Sequence, residues 1–144
     1  SCDTNVLFAA CDRDSPHHAA AREFLQARAG RTDFCLCEQV LMELYCLLRN
    51  PVVCRPALPA ADAVATVRAF RSNPRWRIVD VVPGRGIMEQ VWTHAAGRAF
   101  AYRRIFDTRL ALVLRHHGVT DFATRNLADF DGFGFTRVWD PLAG

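Results

Sequence analysis

Three acids stand where a carboxylate is hard to accommodate. Glu43 is the only charge in "VLMELYCLL", a helix so apolar that neighbours must contact it on most sides. Asp3 opens "DTNVL" where a short first strand ends, and Asn5 follows on the same face of what reads as an extended turn. Asp107 lies in "RIFDTRLALVL" on the helix face that also carries Leu110, Ala111 and Leu114. Taken alone, Asp107 reads as a first-turn acid favoured by the helix dipole. Asp129, in "TRNLADF", offers a fourth carboxylate, with Thr124 and Asn126 close by. Two carboxylates about 4 Å apart repel by about 4 kcal/mol at an effective dielectric of about 20. Three or four brought together therefore need cations. The converging donors are hard oxygens, which makes Mg²⁺ or Mn²⁺ the expected counter-ion. Asn5, Thr124 and Asn126 are expected to orient the acids or their waters.

Residues so distant in sequence need a scaffold that gathers them. "SPHHAAAREFLQARAG" reads as a helix with Ser15 as N-cap, Pro16 at the first helical position and Gly30 just past its end. "TDFCLC" is a short strand, and "EQVLMELYCLLRNP" a helix stopped by Asn50 and Pro51. "PAADAVATVRAFRSNP" carries Val64, Val67 and Phe70 on one inward helical face. "WRIVDVVP" is a strand, and "GRGIMEQVWTHAAGRA" a helix with Ile87, Val91 and Trp92 inward. "IFDTRLALVLRHHG" is a helix ended by Gly118. "VTDFAT" and "FTRVW" are strands separated by the turn-rich "RNLADFDGFG".

Strands alternating with helices predict an α/β fold: a three-layer α/β/α sandwich with a central, mostly parallel sheet, in a single domain over residues 1–144. A parallel sheet brings the carboxyl ends of its strands to one edge, where ligands bind. The scattered acids can meet there. Only Ser1 and Cys2 precede Asp3, so the first strand is either very short or begins before residue 1.

Composition narrows the chemistry. At 144 residues and 51% hydrophobic content the chain can bury the core of one domain. No apolar run reaches the roughly 18 residues of a membrane span and no signal peptide is visible, which leads to the expectation of a soluble cytoplasmic protein. The six cysteines include no Cys-x-x-Cys pair and read as free thiols in a reducing compartment. A net charge of +3 permits an anionic partner. All 18 basic residues are arginine. Without lysine, aspartyl-phosphate enzymes that bind phosphate through one are excluded, although they too place an Asp after a first strand. His116 and His117 sit near a helix C-terminus, where the dipole favours a cation, and read as structural. His17 and His18 show no partner, and Asp12, Asp14 and Asp131 read as turn or cap residues.

Taken in order, "DTNVL", "LMELYCLLRNP", "FDTRLALVLRHHG" and "GVTDFATRNLADFDGFGFTRVWDPL" resemble the PIN-domain ribonucleases, above all the VapC toxins of bacterial toxin–antitoxin pairs. The resemblance spans almost the whole chain. It implies a PIN-like fold, a Mg²⁺- or Mn²⁺-dependent endoribonuclease, and a cognate VapB-type antitoxin whose tail occupies the site. It carries the metal-holding, catalytic role to Asp3, Glu43 and Asp107, with Asp129 at the fourth position. Asn126 stands where many relatives have an acid, which leaves Asn126 and Asp129 as alternatives there. The expected reaction is hydrolysis of an RNA phosphodiester, leaving a 5′-phosphate and a 3′-hydroxyl. Arg104, Arg109 and Arg125 neighbour the acids and are expected to contact RNA phosphates. The helices at 40–48 and 61–70 offer aliphatic surface for a homodimer or the antitoxin. The alternative functions are a non-catalytic PIN-fold module that binds RNA or protein, and a metal nuclease acting on DNA.

Overall fold

Asp3 starts a helix. Its backbone is extended (φ −80°, ψ 164°) and its Oδ1 accepts the Thr4 N–H at 2.7 Å, capping α1 (Thr4–Cys11). The extended turn expected over Asp3–Asn5 is thus the first turn of a helix. The computed structural model describes residues 1–82 and 86–143. The expected strand end at Pro83 and helix start at Gly84 and Arg85 lie outside them.

Helix α2 runs His18–Gln26, later than expected. Ser15 accepts the His17 N–H on its Oγ and the His18 N–H on its carbonyl, so Ser15 and Pro16 form a turn before the helix. After Gln26 the chain turns through Ala29 before reaching Gly30. Strand β1 (Cys35–Cys37) leads directly into α3 (Glu38–Arg49), and α4 (Ala60–Arg71) follows. Then come β2 (Arg77–Val79), α5 (Gly86–Ala95), α6 (Arg104–His116), β3 (Asp121–Ala123), a 3₁₀ turn over Leu127–Phe130, and β4 (Arg137–Trp139).

Every strand pairing among the described residues is parallel. β1 pairs with β2 in the register Cys35↔Arg77 to Cys37↔Val79, and β3 with β4 from Asp121↔Arg137 to Ala123↔Trp139. Cys2 forms a single parallel bridge to Ala123, with Asp3 N–H donating to Ala123 O at 2.9 Å. The first strand is therefore one bridge. Around these pairs, α1 packs against α2 and α3, α3 against α4, and α5 against α6, which also reaches β1. The parallel strands and flanking helices form the expected α/β architecture.

The core runs from Val6 and Leu7 through Leu36, Leu41, Leu44 and Leu48 to Leu110, Leu114 and Phe122. Two expected inward residues face out. Trp92 is 53% exposed because the neighbouring Val91, about 100° round the helix, takes the buried place. Val64 is 37% exposed for the same reason beside Ala63, while Val67 and Phe70 pack at the edge of the core. All six cysteines are free thiols.

Phe122 ties the β3–β4 pair to its connection. Its ring stacks on Phe135 at 5.5 Å and meets Phe130 at 4.6 Å, and it is fully buried. Replacing Phe122 with Ala should cost about 3–5 kcal/mol of stability. Urea denaturation of the two proteins, compared at equal slope, checks this.

Candidate active site

The site is assembled beside the carboxyl ends of the Cys2 bridge and β3, from residues of α1, α3, α6 and the 3₁₀ turn. Asp3 follows the Cys2 bridge and is only 7% exposed. Its Oδ2 accepts from Thr124 Oγ1 at 2.7 Å and from Asn5 Nδ2 at 2.8 Å. Asn5 Nδ2 also lies 3.2 Å from Thr124 Oγ1, and Asn5 Oδ1 accepts the Arg125 N–H at 3.3 Å. Asn5 and Thr124 thus clasp Asp3 from the first turn of α1 and the end of β3. The Asn126 N–H donates to Thr124 Oγ1 at 3.0 Å, so Asn126 joins through its backbone.

Glu43 reaches the same region from the middle of α3. Thr4 Oγ1 donates to its Oε2 at 2.9 Å and Gln39 Nε2 to its Oε1 at 3.0 Å. Both donors are neutral. Asp107 lies in the first turn of α6, half-buried, and Asp129 in the 3₁₀ turn.

These carboxylates feel one another. The Asp107 carboxyl is pushed up to about 6, first by burial and then by the charges of Asp129, Asp3 and Glu43, against the opposing pull of Arg104. Asp3 is raised chiefly by burial; the hydrogen bonds from Thr124 and the Thr4 N–H pull the other way, and Glu43 and Asp129 add to the rise. Four acids from distant segments therefore bear on one another electrostatically. Among the described residues no three of His, Cys, Asp or Glu are close enough to close on one ion as they stand.

The three arginines differ in their surroundings. Arg104 Nη2 donates to the Asp129 carbonyl at 3.1 Å, and its Nε lies 4.0 Å from Asp129 Oδ1. That Nε is buried with no hydrogen-bond partner. Arg125 is exposed beside the clasp. Arg109, expected to contact phosphate, is engaged within the fold: Nη1 donates to Gln39 Oε1 at 2.6 Å and Nη2 to Asp80 Oδ1 at 3.0 Å. Its fork geometry suits two acceptors at once, which is why it turns inward. His117 Nε2 bonds the Asp80 carbonyl at 2.8 Å, a structural tie.

Sequence reasoning missed Thr4 and Gln39. Both are buried polar residues bound to Glu43. Gln39 precedes Glu43 by one helical turn, a spacing that places them on one face and was a readable signal. Nothing marked Thr4 beyond its place after Asp3.

The model of the PIN domain family matches residues 2–133. Ribonuclease VapC24 of Mycobacterium tuberculosis, from two strains, is 52% identical over 142 residues, covering 99% of this chain and 96% of the relative. The crystal structure of M. tuberculosis VapC20, described as a sarcin-ricin loop cleaving toxin, superposes with a TM-score of 0.69. It is 19% identical and covers 93% of this chain and 94% of its own. That likeness concerns the fold.

Asp107 carries a pH consequence. Its folded carboxyl binds a proton more tightly than the unfolded one, so stability falls as pH rises from the ordinary Asp value toward about 6 and levels off above. In buffer free of divalent cations, the melting temperature should therefore rise as pH drops from 7 to 5. Asp107→Asn should flatten that slope, as thermal denaturation across the range would reveal.

Proposed function

Because the chain belongs to the PIN domain family, we propose that it is a VapC-type toxin: an endoribonuclease that hydrolyses RNA phosphodiester bonds and is restrained by a cognate VapB-type antitoxin. The observation that carries this reading is that Asp3, Glu43 and Asp129, from distant segments, all bear on Asp107 and add to the rise that burial gives its carboxyl. The ribonuclease name of a relative 52% identical along nearly its full length supports it.

The donor set suits Mg²⁺ or Mn²⁺. It consists of carboxylate oxygens, two of the acids are held by neutral partners, and the guanidinium contact to Asp129 is loose. Asp3, Glu43, Asp107 and Asp129 would hold the metal, which when bound activates water for attack and stabilises charge on the leaving oxygen. Asn5 and Thr124 keep Asp3 in one rotamer, and Thr4 does the same for Glu43. The exposed Arg125, and Arg104 through the open part of its guanidinium beside Asp129, are the phosphate contacts at this edge. With water as the nucleophile and the P–O3′ bond broken, the 3′-oxygen leaves, and the products carry a 5′-phosphate and a 3′-hydroxyl.

Between α3 and α4 runs an apolar groove of Leu41, Met42, Tyr45, Val64 and Val67, flanked by Glu38 and Arg68. Met42 is 58% exposed there. Such a groove suits an amphipathic helix of the antitoxin, and a second copy of the chain is the other occupant we propose, forming a homodimer. Among the described residues no helix is long and apolar enough to cross a membrane. We place the protein in the cytoplasm, with its RNA.

The test is incubation of purified protein with total RNA in Mg²⁺, in Mn²⁺ and in chelator, alongside matched DNA. Cleavage should require the metal and spare DNA. Asp3→Ala should reduce cleavage by more than the roughly 10–100-fold typical of partners one step removed from a metal, while RNA and antitoxin binding persist. Cleavage that survives chelation refutes the chemistry, and an inert wild type points to a binding module.

A further inference from the structure

Gln39 is a buried amide with all its main partners in place. It is 5% exposed, and its Nε2 donates to Glu43 Oε1 and to the Phe106 carbonyl, each at 3.0 Å. Its Oε1 accepts from Arg109 Nη1 at 2.6 Å. The orientation of the amide is dictated by chemistry: a guanidinium only donates, so the oxygen must face Arg109, and a carboxylate and a carbonyl only accept, so the NH₂ must face Glu43 and Phe106.

This arrangement has an electrostatic result. The Arg109 guanidinium stands within one amide group of the Glu43 carboxylate, yet its two Nη groups are directed to Gln39 and to Asp80. Asp80 neutralises Arg109, and Glu43 receives a neutral donor in place of a cation. Elsewhere on the same helix the pairing is direct: Glu38 meets Arg71 at 2.6 Å. The bond to the Phe106 carbonyl also fastens α3 to the residue before Asp107, fixing where Glu43 stands relative to the start of α6.

We infer that Gln39 is a positioning residue that holds Arg109 off Glu43, so that the acid pocket keeps its charge for divalent cations. This rests on the metal-dependent reading above. Without the amide, the long Arg109 side chain is free to pair with Glu43. One acid is then neutralised from within, and cation affinity falls.

The experiment measures Mn²⁺ binding by electron paramagnetic resonance on the whole purified chain: wild type, Gln39→Met, Arg109→Met and the double variant. Gln39→Met should weaken Mn²⁺ about tenfold or more. Removing Arg109 as well should recover most of that loss, whereas a purely structural clamp predicts that the double variant is no better than Gln39→Met. Gln39→Asn, which keeps the amide but withdraws it, serves as the milder variant and should move the same way. A second arm needs no metal: a double-mutant cycle between Glu43→Gln and Arg109→Met, read by urea denaturation, should show stronger coupling in the Gln39→Met background than in the wild type, where the two groups meet only through the shared amide. Unchanged Mn²⁺ affinity in Gln39→Met, absence of recovery in the double variant, or no gain in coupling overturns the inference. Coupling that strengthens in a protein whose wild type binds no Mn²⁺ overturns the cation role, and with it the metal-dependent reading, while leaving the spacing of Arg109 from Glu43 as found.

Discussion

Like charges brought together in a half-buried pocket resist assembly, and much of this molecule is arranged to hold them there. Burial and neighbouring acids both push the Asp107 carboxyl upward, and burial does the same to Asp3. At Asp3 and Glu43 the fold answers with neutral hydrogen bonds rather than with ion pairs. Asp3 is clasped by Thr124, Asn5 and the Thr4 N–H, and Glu43 by Thr4 and Gln39. Neutral donors fix rotamers without cancelling charge.

The same economy of charge explains where the arginines go. Lysine is absent from the sequence, so guanidinium groups perform the structural roles of cations throughout. Arg28 donates to the Phe24 carbonyl at the end of α2 and lies 3.7 Å from the Phe24 ring centroid, and Arg137 covers Trp139 at 4.2 Å. Arg115 donates to the Val119 carbonyl beyond α6. Arg109 is tied to Gln39 and Asp80. Proximity in sequence to an acid was therefore a poor guide to which arginine faces solvent, because a planar fork is drawn to whichever pair of acceptors the fold presents.

Much of the architecture was legible because it depends on local signals. Helices α3 and α6 announced themselves through apolar periodicity and clear stops, and the β3 and β4 segments through β-branched and aromatic residues between turns. Helix α1 was not legible as a helix: Thr4, Val6, Leu7, Ala9 and Ala10 are all buried, so almost no polar face marks its period. In α4 and α5 the inward faces were read correctly at Val67, Phe70, Ile87 and Val91, but Val64 and Trp92 lie at their margins and turn out, with Ala63 and Val91 holding the inward places. Small residues leave a periodicity ambiguous until a packing neighbour selects a face.

For the site, sequence alone determined which acids were out of place, because a lone carboxylate in an apolar segment needs compensation whatever the fold. Glu43 could be named on that ground, and Asp3 and Asp107 joined it through their places beside strands that a parallel sheet gathers at one edge. Only the tertiary structure decided what surrounds them: that Asp129 bears on Asp107, that Asn126 enters through its backbone, and that Gln39 stands between Arg109 and Glu43. The physical reason is range. The cost of burying a charge is a property of its local neighbourhood, whereas the partners that meet the cost lie tens of residues away and are chosen by strand pairing and helix packing.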